Sequence, residues 1–525
     1  MQHESDLRGT FFARVPGILA GFAVTLGTLG LYLLTMAPTV LSRINEEGLF
    51  DAGLFQVRAY MLSISHPTGY PTYLLLAKLF TYLPVGDVAY RINLVSAVFG
   101  AGAVLMLYIL CRQITGRILP SVVAAALFGV SQAFWSQAVV AEVYTLNAFF
   151  VALSISVLLL WRDKRRDRYL LLWAFLVGLA MTNHMTSGLL LPVGLLFVWL
   201  TERGKLSDRR LWLKGVGVFA LGLVPYVYLP IRSLVDPPFA AYDTDTPLQF
   251  LAFVSGVSFG DSMLAFGPVA LIGRVEMYWG HLSQQFNVFF LAVAVVGVLS
   301  LYHRDRAAFA LLGLLYSGWL LYALEYNIAD IWVYFIPTYL IICAFVAPGI
   351  VALVAGLKLI LSTATLSSKL REAPAILAVI AALALFIPVV GANGTYRTVD
   401  YSDSYEAQNI IEAVAQNVET GATVITDGSS MWYMKLVEER RVDLELVSPF
   451  LEDDLESDVK GRWIRFIREH VSEDNPAYVV SANGVDGSSV SRLAEEGYRL
   501  VPKEGGAFYK VTYSPETPNS QVKHA

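Results

Sequence analysis

Long apolar runs broken by short polar stretches organise most of this chain. Runs long enough to cross a bilayer core, which takes about 20 residues of helix, fall at roughly 17–37, 92–111, 118–136, 143–161, 169–183, 186–201, 215–231, 286–302, 307–324, 332–354 and 374–391. They predict a polytopic α-helical membrane protein with about eleven transmembrane helices. The first run, uncharged between Arg14 and Arg43, is too long and too late for a cleaved signal peptide. Residues 70–85 are apolar but short and end at Pro84 and Gly86, which predicts a re-entrant or interfacial helix. Between 169 and 200 the one charge-bearing candidate is His184, and the turn-forming TNHMTSG at 182–188 predicts two short helices rather than one long span.

After residue 391 the pattern changes. Strand-like pieces (GATVITDG, DLELVSP, AYVVSA, RLVPKEGGAFYKVTY) alternate with helix-like ones (SSMWYMKLVEER, WIRFIREHV, VSRLAEEGY), predicting a soluble α/β domain over 392–525 with a three-layer or Rossmann-like character. It has no Gly-x-Gly-x-x-Gly and no phosphate-loop motif, so nucleotide binding is not expected. Its last residues, SPETPNSQVKHA, are expected to be disordered.

Composition agrees with this division. Hydrophobic residues make up 56% of the chain, charged residues 15%, and mean hydropathy is +0.55, which excludes a purely soluble protein. From residue 396 onward there are 23 acidic and 13 basic side chains, leaving the membrane part near +5 when the whole is −5. No nucleic-acid partner is expected. Cys111 and Cys343 lie inside apolar runs, so no disulfide framework is implied.

The basic clusters 112–117, 162–168, 203–214, 304–306 and 358–371 are expected on the cytoplasmic side, together with the N-terminus. The unusual polar stretches then face outward together: a first outer loop at 38–90, WSQAVVAEVYTLN (135–147), TNH (182–184), PIRSLVDPP (230–238) opening a long outer loop at 233–285, and EYNIADIWVYF (325–335). The C-terminal domain is extracytoplasmic on the same count. Ionisable groups at membrane depth are costly and usually serve a pathway or a site.

FDAGLFQVRAYMLSISHPTGYP (50–71) and YRINLVSAVFGA (90–101) resemble the GT-C superfamily of membrane glycosyltransferases. Within it they resemble the family of multi-span proteins that includes the eukaryotic transmembrane O-mannosyltransferase acting on receptor ectodomains. That family's D-S-G-E, H-P-P-G-Y-P and R-x-N-L fall on Asp51-Ala52-Gly53-Leu54, His66-Pro67-Thr68-Gly69-Tyr70-Pro71 and Arg91-Ile92-Asn93-Leu94. WSQAVVAEVYTLN, LAMTNHMTSGLLL, YVYLPIRSLVDPP and YNIADIWVYFIPTYL extend the likeness through the membrane part. One departure is Leu54, where the family has an acid; Glu46 or Glu47 would be the substitutes if that acid were needed.

The resemblance implies an inverting transferase that moves a sugar, most plausibly mannose, from a polyprenyl- or dolichyl-phosphate donor. The acceptor is a protein Ser/Thr or a glycan hydroxyl on the extracytoplasmic face. Such chemistry requires a base for the hydroxyl proton, and Asp51 is the first choice, against the plainer reading of a helix-capping or salt-bridged loop Asp. Arg91 and Arg232 suit the departing phosphate, because a guanidinium binds it bidentately and keeps its charge; helix-end anchoring is the alternative. His66 and His184, the latter beside Asn183, suit phosphate or sugar oxygens, and with Asp51 and Glu142 they are the residues from which a metal site would be assembled. No spacing demands one, so no metal or other cofactor is expected. Glu142, Tyr144 and Asn147 at a helix start suit sugar hydroxyls or orientation of the Asp51 loop, against a plain N-terminal helix charge. Asp330, with Asn327 and Tyr334, is a further sugar-pocket candidate, with capping of the next helix as its plainer role. Residues 66–71 act through shape, the prolines and Gly69 setting Tyr70 and the short helix after it. The long outer loop with Asp236, Asp243, Asp245 and Asp261 suits a cover over the site or an acceptor contact, against the plainer reading that its acids are solvated, and the C-terminal domain reads as either acceptor recognition or a structural cap. The competing functional class, a transporter or non-catalytic lipid- or acceptor-binding scaffold, would carry internal repeats with broken helices; none is visible.

Overall fold

The computed structural model describes residues 2–514 apart from 42–43, 46–47, 50, 241, 364–393, 427, 450–458, 473–474 and 481–486. The expected segment 374–391, the candidate acids Glu46 and Glu47, and the tail after 514 lie outside the described residues.

Helix α1 (Gln2–Thr35) leads into a two-residue hairpin, β1 (Ile44–Asn45) with β2 (Gly48–Leu49), and then into α2 (Ala52–Met61) and α3 (Pro71–Phe80). The first outer loop is therefore largely helical. Next come α4 (Val88–Thr115), α5 (Ile118–Gly129), α6 (Gln132–Ala138) and α7 (Tyr144–Lys164). Helix α4 is bounded as its sequence dictates: Asp87 accepts from the Tyr90 N–H (2.7 Å) at its start, and Gly116 adopts φ +67° at its end. Ile, Leu, Val and Ala run almost unbroken through these helices, so packing is decided by position in the bundle. The apolar span of α7 is 83% buried and that of α1 17%, placing α7 at the centre and α1 at the rim.

Residues 167–201 fold as the sequence led one to expect. Helix α8 (Asp167–Met181) stops at Thr182, a 3-10 turn covers Met185–Leu189, and α9 (Leu190–Thr201) runs back. Trp173 of α8 lies against Gly194 of α9, and beyond the helix ends Arg165 meets Glu202 (3.1 Å) while Lys205 meets Asp167 (2.7 Å). The basic clusters 162–168 and 203–214 thus share one end of the hairpin, with His184 at its tip.

Helices α10 (Arg209–Gly222) and α11 (Tyr228–Ser233) are joined by a 3-10 turn, and the pair bends by 44°. The long segment 233–285, expected to be loop, contains α12 (Pro247–Ser255), a 3-10 turn and the 18-residue α13 (Pro268–Gln285). Helix α12 starts at a Thr246/Gln249 capping box with Pro247 in the first turn, which is the local reason it forms. Helix α13 meets α14 (Val288–Arg304) at 107°, and α15 (Arg306–Leu324) and α16 (Ile336–Thr363) complete the membrane part.

Ten of the eleven expected segments fall on helices. Judged by length and hydropathy, five described helices cross a membrane, or eight if each bent pair counts as one span. The expected eleven is not reached because α8 has 15 residues, the segment from Met185 starts with a 3-10 turn, and the eleventh segment is not described.

In the tail, β3 (Thr423–Thr426), β4 (Glu445–Val447), β5 (Ala477–Val480), β6 (Tyr498–Lys503) and β7 (Phe508–Tyr513) form one sheet in the order β4-β3-β5-β7-β6. The β4-β3-β5 part is parallel and the β6/β7 hairpin adds antiparallel. β3 and β5 are buried throughout, as central parallel strands covered on both faces are.

One helix of this part, Ser429–Leu436, rests on α2. A Cβ at Gly53 would overlap Ser429 Oγ, the Ala89 N–H donates to the Tyr433 hydroxyl (3.0 Å), and the Trp432 ring lies 5.1 Å from that of Phe239. Leu54 packs on the same apolar cluster with Val57, Met431 and Tyr433.

Candidate functional site

Asp51 stands at the head of α2, yet its carboxylate makes no capping bond, so the capping half of its plainer reading fails, while the paired half stands in its approach to His66. What fixes Asp51 is its backbone, whose N–H donates to Glu142 Oε1 (3.0 Å). Glu142 is buried and is itself clasped by Ser96, which donates to the Glu142 carbonyl and accepts from its N–H, both at 3.0 Å. The Asp51 side chain, about one-third exposed, approaches His66, with Oδ2 3.5 Å from Nε2.

Gly69 and Tyr70 both take positive φ, +90° and +48°, and this turn drives the Tyr70 ring inward before Pro71 starts α3. The Tyr70 centroid lies 5.0 Å from His66 and 6.1 Å from His184. His184 in turn meets Tyr144 (5.5 Å) and Tyr334 (5.5 Å), and Tyr334 meets Tyr144 (5.9 Å) and Tyr326 (5.2 Å). Four polar stretches, spread over about 280 positions of sequence, therefore converge on one cluster of acids and rings.

Electrostatics at the cluster follow from burial. Removal from water holds the Glu142 carboxyl well above the usual carboxylate range, with the negative charges of Asp51 and Asp330 adding to the effect. Asp330 is pushed up to about 6, first by burial and then by Asp51. It makes no capping bond to the turn that follows, so its plainer role fails as well. Burial, reinforced by His66, lowers His184 to about 4, so that imidazole is neutral near pH 7. His184 Nδ1 is within 2.7 Å of the Thr186 hydroxyl, while Nε2 is buried with no partner; the same holds for Oδ1 of Asn183, whose Nδ2 donates to the Val143 carbonyl (3.3 Å). Such orphaned polar atoms call for a ligand group or ordered water.

The structure thus gathers Asp51, His66, Tyr70, Glu142, Tyr144, His184, Asp330 and Tyr334, with Asn183 at the edge. Asn147 sits one turn further along α7, where its Oδ1 accepts from Ser187 (2.6 Å) and fastens the hairpin tip. The two arginines require correction. Arg91 donates to the carbonyls of Val85 (2.7 Å), Thr81 (2.9 Å) and Gly86 (2.8 Å), so its fork clasps the turn after α3. Arg232 donates to the carbonyls of Leu62 (2.5 Å) and Met61 (3.4 Å), where the end of α2 leaves acceptors free. All three Arg91 nitrogens are thus spent on carbonyls, and two other carbonyls hold Arg232. Sequence reasoning passed over Tyr326 and Ser96, although Tyr326 lies inside a stretch already singled out. Phe259 of the long segment lies 6.4 Å from Tyr326, and the Asn327 N–H donates to the Ser262 carbonyl (2.8 Å), so that segment borders the site.

Among the described residues no group of three or more His, Cys, Asp or Glu side chains is arranged to hold a metal ion.

Two solved structures share this architecture. ArnT from Cupriavidus metallidurans, bound to undecaprenyl phosphate, superposes with a TM-score of 0.58 at 14% identity over 96% of this chain and 99% of that one. The oligosaccharyltransferase of Archaeoglobus fulgidus does so at 0.55 and 14% identity, over 95% of this chain and 74% of that one. The fold is that of the GT-C class of integral membrane proteins.

Within that class the resemblance read from the sequence holds. Residues 51–207 match the family model described as the protein O-mannosyl-transferase TMEM260 N-terminal domain. The Mus musculus protein O-mannosyl-transferase TMEM260 is 31% identical over 271 residues, 49% of this chain and 38% of that one. Its Dictyostelium discoideum counterpart is 24% identical over 273 residues, 48% and 33% respectively. The matches thus span 38% and 33% of these relatives' length.

Proposed function

We propose that this chain is an inverting membrane glycosyltransferase that moves a sugar, most plausibly mannose, from a polyprenyl- or dolichyl-phosphate donor to a hydroxyl. The acceptor is a protein Ser/Thr or a glycan on the extracytoplasmic face. One observation carries the reading: Asp51 is anchored through its backbone while its carboxylate stays uncapped and partly open beside His66, whose ring contacts Tyr70 in the same cluster. The names of the relatives and the GT-C fold support the reaction class.

In this mechanism Asp51 takes the proton of the acceptor hydroxyl, whose oxygen attacks the anomeric carbon. The bond from that carbon to the phosphate oxygen breaks on the opposite face, inverting the centre, and the lipid phosphate leaves with the bonding pair. Tyr70, Tyr144, Tyr334 and the free edge of His184 supply donors and flat apolar faces to the sugar and phosphate oxygens. The reading assigns no metal; chelation is expected to leave turnover within about twofold. Leu54 packs on the apolar cluster shared with the tail, so the position that carries an acid in the family supplies none here.

That same leucine favours one second reading, a non-catalytic scaffold that binds lipid or acceptor. Transfer of radiolabelled sugar from a panel of polyprenyl-phosphate sugars, or its hydrolysis to water, separates the two. Asp51→Asn is expected to lower turnover by about 10²- to 10⁴-fold while donor binding persists. Turnover unchanged in the variant removes Asp51 from the role of base. No turnover with any donor, despite donor binding, leaves the scaffold reading.

A further inference from the structure

At the opposite end of the α8/α9 hairpin from His184 lies a cavity of about 370 Å³ between α8, α9 and α10. Its walls are almost wholly apolar and include Leu171, Trp173, Leu195, Val198, Trp212 and Phe219. Poor packing is not its origin. Helices α8 and α10 touch backbone to backbone at Gly178 and Gly222, where a Cβ on either glycine would strike the other helix. Away from that contact bulky side chains hold the helices apart. Trp173 fills the face opposite Gly194, and the Trp212 indole is tied to the Leu206 carbonyl (2.6 Å). The contact therefore acts as a fulcrum, and the gap opens toward the basic end. In volume the gap falls within the range of small-ligand sites, about 300–1,000 Å³.

Charge at the mouth is one-sided. Lys205, on the rim, is paired with Asp167 (2.7 Å), Arg165 with Glu202 (3.1 Å), and the Asp208 carboxylate is taken up by the Arg210 and Leu211 N–H groups. The local acids are thus engaged. Arg166, Arg209, Arg210 and Lys214 remain exposed, and among the described residues none of the four has an ion-pair partner. Val216, which lines the cavity, and Leu213 beside it are exposed apolar residues on a helix that belongs to the membrane part.

We propose that this cavity is a binding site for an anionic phospholipid, one acyl chain lying between α8, α9 and α10 and the phosphate meeting Arg209, Arg210 and Lys214. An apolar slot opening beneath unpaired cations matches the two halves of such a lipid. A zwitterionic lipid would gain from the slot alone. The proposal is independent of the transfer reaction, since none of these residues belongs to the cluster around Asp51.

Native mass spectrometry of the full chain in detergent, incubated with phosphatidylglycerol, phosphatidylcholine or undecaprenyl phosphate, tests it. Wild-type protein is expected to retain one phosphatidylglycerol at least about fivefold more than phosphatidylcholine, the discrimination of roughly one basic residue at a membrane surface. Leu195→Trp, which fills the slot, is expected to lower that retention about tenfold; if this variant does not fold, Gly215→Phe blocks the mouth from a position where a Cβ meets nothing within 4 Å. Arg209→Gln with Arg210→Gln is expected to bring phosphatidylglycerol down to the level of phosphatidylcholine. Retention unchanged in a folded slot variant, equal retention of the two phospholipids by wild type, or displacement of phosphatidylglycerol by undecaprenyl phosphate at one-to-one stoichiometry would each overturn the proposal.

Discussion

The two ends of the α8/α9 hairpin make opposite use of polar groups. At the tip, Asn183 and His184 keep buried atoms without partners, and three acids crowd together so that two of them hold their protons more tightly than usual. At the base, acids are paired with cations: Arg165 with Glu202, Lys205 with Asp167, Arg162 with Asp305. Paired charges fix where a helix pair ends, whereas the buried unpartnered atoms of Asn183 and His184, set among acids and rings, call for a ligand group or ordered water. The tip has the character of a site, and the base that of an anchor.

Perturbing this contrast gives graded outcomes. Asp51→Asn has the largest expected effect, as described above. Asp330→Asn comes next. Because the folded-state pKa of Asp330 is raised from 3.8 to about 6, its protonated form stabilises the fold below pH 4, and that contribution is lost as pH rises through 6. Thermal melts between pH 4 and 7 should lose up to about 3 kcal/mol in the wild type that the variant does not lose. Identical pH profiles would mean that Asp330 is not buried among acids.

Glu142→Leu leaves the Asp51 N–H without its acceptor, a loss of roughly 1–3 kcal/mol, and should lower turnover about 10- to 100-fold. Glu142→Gln keeps an Oε1 and should stay within about threefold of wild type. If the two variants behave alike, the backbone anchor does not matter to Asp51. Arg91→Met should cost about 1–2 kcal/mol in stability and leave donor KM within about twofold, because its donors are spent on carbonyls. A tenfold rise in KM with an unchanged Tm would restore Arg91 as a phosphate ligand. The smallest effect belongs to the base: a double-mutant cycle on Lys205 and Asp167 should give a coupling under about 1 kcal/mol, as for other partly exposed pairs.

Much of this arrangement was legible in the residue pattern. TNHMTSG interrupts an apolar run with turn formers, and it is the hairpin tip. The strand-like pieces of the tail fall on its strands, the last of them split into β6 and β7, because period and turn residues agreed locally. The segment 233–285 misled because its scattered acids masked helices, although Thr246, Pro247 and Gln249 already spelled a helix start. Arg91 and Arg232 were illegible for a different reason. A guanidinium has the same identity whether it waits for phosphate or ties down a turn, and only tertiary structure tells which carbonyls lie within reach. Tyr326 was quoted in a motif and overlooked because nothing local distinguishes a site tyrosine from an interfacial one.

The contact of Ser429 with Gly53 has a bearing on assembly. The helix that begins just after Asp51 is packed on one side by residues synthesised about 380 positions later. Closure over so long a stretch of chain waits for that late helix to emerge and fold. A chain ending before residue 429 is expected to leave α2 open to limited proteolysis. The seat of Asp51 is thus completed only after residue 429 has been made, which, on the proposed function, couples competence for transfer to the synthesis of that late helix.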